Sequence, residues 1–323
     1  MHHYTTVTWR TLPTPRQAGH VLRDDIPRLG LRFPYLMHQL LAVAALHIFE
    51  DMSPDSLKST ASGNNNNNKT TYLACASRHQ SIAISGMRTA LSKPITDSET
   101  SRALFATSAF LMIGTLAMNR GEPVRAGNLN MKLAPCPMDG ILETFSVVRG
   151  MGAIRKLERN LVDDLFGSQP LDISCVDSLR LVQHQLRSLE TRITMDNNGL
   201  SEAEKLTVCS EIRSLMAFMD GKSTATIMAR KELSLVFAWP WTMSDDLLAL
   251  LHARHPAALT KLLYYCIVMQ SLETDYWFLH GWSSRLARVI SMSLRGSMWE
   301  EVARWPLHLA SGANLPLDKP DTF

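Results

Sequence analysis

The 323-residue sequence lacks paired cysteines. Five stand at positions 75, 136, 175, 209 and 266, and no C-x-x-C occurs. That spacing excludes a zinc cluster built on thiolates, and an odd number of scattered thiols suits a reducing compartment. The N-terminal "MHHYTTVTWR" lacks the apolar core of a secretory signal. Long hydrophobic runs are also missing. The longest, Leu104 to Met118, is broken by Thr107, Ser108 and Thr115 and is short for a bilayer. Charge is nearly balanced, with 33 basic and 30 acidic residues and a net +3. No basic stripe of the kind that tracks a phosphate backbone is present, so direct DNA binding is not expected. Arg285, Arg288 and Arg295 read as the solvated face of one helix.

Signatures of known catalysts are absent too. There is no H-E-x-x-H, no G-x-S-x-G and no Walker motif. "RGMGAI" (149–154) lacks the third glycine and the preceding strand of a dinucleotide fingerprint, and reads as a tight turn or close helix packing. "DDLF" (163–166), "SDDLL" (244–248) and "NNGLSEAEK" (197–205) resemble the acidic metal motifs of terpene cyclases. The first two offer no carboxylate one turn further on. In the third, Lys205 stands where an acid is needed. His252 and His255 read as a surface pair ahead of Pro256. No metal and no cofactor is expected.

What is there is helical periodicity. Hydrophobic residues make up 46% and charged residues 20%, enough to build a large core. "FPYLMHQLLAVAALHIF" (33–49) is apolar on nearly every face and predicts a buried helix entered through Pro34. The polar 53–70 segment, with its asparagine run, predicts a mobile loop. Thr96 and Glu99 form a capping-box pattern ahead of a helix over 101–118. The Pro- and Gly-rich 120–140 stretch predicts a long connection. Val176, Leu179, Val182, Leu186, Leu189 and Ile193 mark a narrow amphipathic stripe. Ser201 with Glu204 caps a helix carrying Leu206, Cys209, Ile212, Leu215, Met216 and Met219, and Ser244 caps another. No series of alternating strands appears. The expected fold is all-α, a single domain of about ten helices over 1–306, followed by a C-terminal tail at 307–323.

Aromatic residues are few, at 7%, but unevenly placed: six of the seven tryptophans lie between 239 and 305. The densest stretch is "YWFLHGW" (276–282). A helical corner with large rings is one reading. The other is an apolar ligand pocket lined by Tyr264, Tyr265, Met269, Tyr276, Trp277, Phe278, His280 and Trp282, with Gly281 as the hinge and polar tips, Ser283 among them, orienting the ligand. Leu286, Val289, Ile290 and Leu294 give the helix after Gly281 its buried stripe.

The ordered segments "MHHYTTVTWRTL", "FPYLMHQLLAVAALHI", "YLACASRHQSIAI", "ILETFSVVRGMGAI" and "HPAALTKLLYYCIVMQ…YWFLHGWSSRLARVI" resemble the C-terminal regulatory domain of fungal binuclear zinc-cluster transcription factors of the sterol uptake control type. The likeness runs from residue 1 to about 306. It implies an all-α ligand-binding module whose pocket takes a sterol and whose occupancy governs nuclear entry and gene activation. The family's six-cysteine cluster has no counterpart in this sequence. The expectation is therefore a nuclear or cytoplasmic regulator without its own DNA-binding half, acting with an apolar small molecule (sterol or terpenoid) and with a protein partner or a second copy. The alternative is a biosynthetic enzyme, a terpenoid or lipid cyclase or isomerase, using the same pocket through aromatic stabilisation of a cation and one or two acid–base groups.

Overall fold

Phe33 is extended (φ −119°, ψ 92°) because a proline follows it, and Pro34 opens the next helix without leaving a backbone N–H unpaired. This kind of punctuation recurs along the chain. The computed structural model describes residues 1–13, 19–52, 65–95, 97–119, 136–155, 176–195, 199–219 and 231–311. Among the described residues there are thirteen α-helices and no strand, so the fold is all-α. They are α1 (His2–Thr6), α2 (Ile26–Arg32), α3 (Pro34–Asp51), α4 (Asn65–Leu91), α5 (Ser98–Asn119), α6 (Pro137–Arg155) and α7 (Val176–Met195). Then come α8 (Glu202–Met219), α9 (Lys231–Thr242), α10 (Asp245–His252), α11 (Pro256–Glu273), α12 (Trp282–Leu294) and α13 (Trp299–Ala310). A 3-10 turn at Trp277–Leu279 joins α11 to α12.

The central element is α5. Apart from Arg102, every residue from Ser101 to Leu116 is buried, because α3, α4, α6 and the 277–279 turn pack around it. A helix apolar all round has to be enclosed in this way. By length and composition α5 could cross a membrane, but 78% of its apolar window is already buried inside the protein. Its hydroxyls are absorbed locally: Thr107 and Ser108 donate to the carbonyls of Ala103 and Leu104 at 2.6 and 2.8 Å.

The last four carbonyls of a helix have no intrahelical donor. In α5 two of them are met from α12. Trp282 Nε1 donates to Leu116 O at 3.1 Å, and Arg285 donates to Asn119 O at 3.1 Å, placing a cation at the negative end of the helix. The approach is close. A Cβ at Gly140 would stand 2.9 Å from Asn119 and 3.2 Å from the Trp282 ring, so the start of α6 admits only glycine there without a shift. Arg285 is thus half-buried over the Trp282 ring, whereas Arg288 and Arg295 are exposed. The solvated face expected of all three holds for two.

The N-terminus of α12 is fixed just as firmly. Gly281 adopts φ +72°, and the Glu273 carboxylate accepts from Gly281 N at 3.0 Å and Ser283 N at 2.7 Å. The turn at Gly281 is as the sequence predicts, and Leu286, Ile290 and Leu294 are buried below it with Val289 at the edge.

Ser201 and Glu204 cap α8 reciprocally, through Ser201 N to Glu204 at 2.8 Å and Glu204 N to Ser201 Oγ at 3.3 Å. Ser244 caps α10 through Leu247 N at 3.1 Å. At α5 the cap is instead Asp97, which accepts from Thr100 N at 2.7 Å; Thr96 lies outside the described residues.

Other expectations need correction. Residues 65–70 of the expected loop belong to α4, since propagating a helix already packed on α3 costs less than nucleating one, and asparagine's penalty is under ~0.7 kcal/mol. The 120–140 connection ends at Pro137, where α6 begins, and the expected tail starts inside α13. Residues 53–64, 120–135 and 312–323, and the DDLF motif, lie outside the described residues. "RGMGAI" falls within α6 rather than at a turn, and Gly150 has open space around it. Leu206, placed on the core stripe of α8, is 69% exposed, and Val208 is buried instead.

Trp282→Phe keeps most of the ring's packing and removes the donor to Leu116 O. The expected loss is about 1–3 kcal/mol, the cost of stranding a buried carbonyl, read as a lower urea midpoint at unchanged slope.

Candidate functional site

The eight candidate pocket residues fall into two aromatic groups. Around α11, Tyr265 lies tilted against Trp239 at 5.0 Å and meets Phe145 edge-on at 5.5 Å, and its hydroxyl donates to Val236 O at 2.8 Å. Burial raises the Tyr265 phenol well above its ordinary range. Tyr264 lies against Trp305 at 6.0 Å, and Met269 is fully buried in the same core.

The second group is the 276–282 turn. Phe278, fully buried, packs between Tyr276, Trp277 and Phe237 at 5.7, 5.7 and 6.3 Å. Trp277 Nε1 donates to Thr11 Oγ1 at 3.1 Å, tying the turn to the N-terminal segment. His280 stands on the surface with Nδ1 3.3 Å from a Glu50 oxygen. The Ser283 hydroxyl donates to Cys266 O at 2.8 Å. The polar tips of Tyr265, Trp277, Trp282 and Ser283 therefore find partners within the protein, which is what burial demands of them.

An apolar cavity opens beside this turn. It is lined by Leu12, Pro13 and Leu22 of the N-terminal segment, by Ala109, Phe110, Met112 and Ile113 of α5, and by Phe237 of α9. None of the eight candidates lines it directly; Phe278 reaches it through Phe237. The cavity is small, about 20 Å³, the size of one water, and its walls are apolar. The sequence marks the residues of α5 here only as part of an apolar helix. Their lining role follows from long-range packing that periodicity does not reveal. A larger groove between α12 and α13 is lined by polar and charged side chains such as Arg288, Glu301 and Arg304, and suits solvent better than an apolar ligand.

Two ionisable clusters escaped the sequence reading. The first is Lys261 with Glu211, 1% and 5% exposed at their side chains, with Lys261 Nζ 3.5 Å from the carboxylate and 4.0 Å from the centre of the Trp239 ring. The other oxygen of Glu211 accepts from Ser244 N at 2.8 Å, so one carboxylate holds both the lysine and the entry to α10. Burial lowers the Lys261 ammonium to about 7, against the opposing pull of Glu211. The signal in the sequence was a lone charge inside the apolar run of α11.

The second cluster gathers His3, His47 and Asp51 where α1 meets the end of α3. His3 Nε2 lies 3.0 Å from His47 Nδ1, and both approach Asp51 Oδ2. The i,i+4 spacing of His47 and Asp51 was visible in the sequence; His3, 44 positions away, was not linked to them. The expected surface pair His252 and His255 holds only in part, since the His255 side chain is just 19% exposed. His252 is exposed, and His255 lies 3.6 Å from a Glu204 oxygen.

No protein-family model matches the chain, and no solved structure matches it. Two curated proteins do. A Zn(2)-C6 fungal-type transcription factor of Gibberella zeae is 22% identical over 337 residues, covering 98% of this chain and 63% of that protein. Sterol uptake control protein 2 of Saccharomyces cerevisiae is 44% identical over 48 residues, 15% of this chain and 5% of that protein. The chain is thus weakly homologous to fungal Zn(2)-C6 transcription factors along most of its length, and spans less than two thirds of either relative.

Stability should rise with pH across the Lys261 transition. Its folded value, about 7, lies below its unfolded value of 10.5, so between them the unfolded state binds more protons. The slope is up to about 1.4 kcal/mol per pH unit from pH 7 to 10 and vanishes below 7. Lys261→Met alone strands the carboxylate and should cost about 3–5 kcal/mol. The Lys261→Met/Glu211→Gln double variant should flatten that slope in urea melts at stepped pH.

Proposed function

We propose that this chain is a regulatory domain of the transcription-factor type that responds to an apolar small molecule, sterol or terpenoid in class. The supporting observation is the apolar cavity at the seam between the N-terminal segment, α5 and α9, with the aromatic turn standing behind it through Phe278 and Phe237. The weak homology to Zn(2)-C6 transcription factors supports the regulatory part of this reading and a nuclear location.

At about 20 Å³ the cavity is far smaller than a sterol, so binding requires the walls to part. The movable wall in this reading is the one built from Leu12, Pro13 and Leu22, because α5 is enclosed on its other sides and α9 is braced by Tyr265. The ligand then selects an opened state, and its effect on a partner is limited to its preference for that state over the closed one. Trp277, which holds Thr11, is the latch of this seam, while Tyr264, Tyr265, Met269, Tyr276 and Trp282 form the fixed frame around it. The effect passes to another protein or a second copy rather than to DNA directly.

Sterols and terpenoids should raise the melting temperature of the full chain and perturb its tryptophan emission. Ala109→Leu, which fills the seam, should abolish both effects while the far-ultraviolet circular dichroism stays helical. A ligand panel that changes neither signal in the wild-type chain would remove the small-molecule part of this reading.

A further inference from the structure

The junction of α1 and α3 places three ligand-type atoms around one point. His3 Nε2 and His47 Nδ1 are 3.0 Å apart, and they stand 4.0 and 3.7 Å from the same oxygen of Asp51, Oδ2. The circle through three points with sides of 3.0, 3.7 and 4.0 Å has a radius of about 2.1 Å, which is the length of a zinc–imidazole or zinc–carboxylate bond. A point equidistant from the three atoms therefore already lies at bonding distance from each. Two imidazoles and one carboxylate are also a ligand set that zinc and its neighbours in the first transition row favour.

We propose that His3, His47 and Asp51 form a binding site for a single divalent transition-metal ion of the zinc type.

The surroundings fit a cation. Asp51 is the last residue of α3, so the site faces the negative end of that helix dipole. His47 is buried against the Trp277 ring, with centroids 5.2 Å apart, and Thr8 Oγ1 lies 3.5 Å from its Nδ1. The Asp51 side chain is 56% exposed, which leaves an entry path and room for water in a fourth position. The bound ion would tie the short α1 to the end of α3, next to the turn that holds Thr11. It is separate from the thiolate cluster that the cysteine spacing excludes, and it does not depend on the small-molecule reading.

The test is a calorimetric titration of the chelator-stripped full chain with zinc at pH 7.5, paired with thermal melts. One ion should bind and raise the melting temperature. Asp51→Asn and His3→Ala remove exposed or half-exposed groups, so both variants should fold as the wild type does without metal. Each should bind zinc at least tenfold more weakly, since even indirect support of a ligand carries that much. Cobalt should substitute for zinc, giving a visible ligand-field spectrum in the wild type that both variants lose. Wild-type affinity in both variants would overturn the proposal by placing the ion elsewhere, for instance on the exposed Cys75 or Cys136. Absence of saturable binding to the wild-type chain would overturn it as well.

Discussion

An apolar helix with its end buried makes two demands, and much of this structure follows from meeting them. The sides of α5 must be covered, and the carbonyls at its end, buried at Leu116 and half-buried at Asn119, must find donors. The first demand recruits α3, α4 and α6. The second is met by an indole and a guanidinium from α12. That choice sets the orientation of α12, and so the position of Gly281, the Glu273 cap and the aromatic turn between them. Gly140 belongs to the same constraint, since a side chain there would push α6 off the Trp282 ring.

The crowd of tryptophans near the C-terminus acquires a physical meaning in this light. An indole is a large apolar body with one donor at its rim. Trp282 spends that donor on the end of α5 and Trp277 on the N-terminal segment, while Trp239 offers its face to Lys261. They are braces between elements far apart in sequence. The seam that remains, along Leu12, Ala109 and Phe237, is where packing by these braces stops. His47 of the proposed metal site packs on the Trp277 ring, and Leu12 of the seam follows Thr11, to which that ring is tied.

The helices were legible in the sequence because their signals are local. The periodicity of α7, Pro34 at the start of α3, the Ser201–Glu204 pair and the glycine at 281 each involve residues within a turn or two of one another. The sequence underestimated the number of helices because short ones such as α1 and α2 carry too few residues to display a period. Leu206 misled because hydrophobicity alone does not place a residue inward, and the buried face of α8 runs through Val208, Cys209, Ile212 and Leu215. The site was harder to read. Burial of Tyr265 and Trp282 follows from composition, but the identity of their hydrogen-bond partners is set by tertiary contacts. The Lys261–Glu211 pair spans 50 positions and the His3–His47 contact 44, so although Lys261 stands out as a charge in an apolar run and His47 has Asp51 a turn away, nothing local names the distant partner of either.

The donor for Leu116 O arrives 166 positions later in the chain. At roughly 5–20 residues per second on the ribosome, α5 emerges about ten to thirty seconds before Trp282 exists to close it. For that interval a 22-residue apolar helix has its C-terminal end uncapped and one side bare. The nascent chain should thus present, until α12 is complete, apolar surface of the kind that chaperones hold.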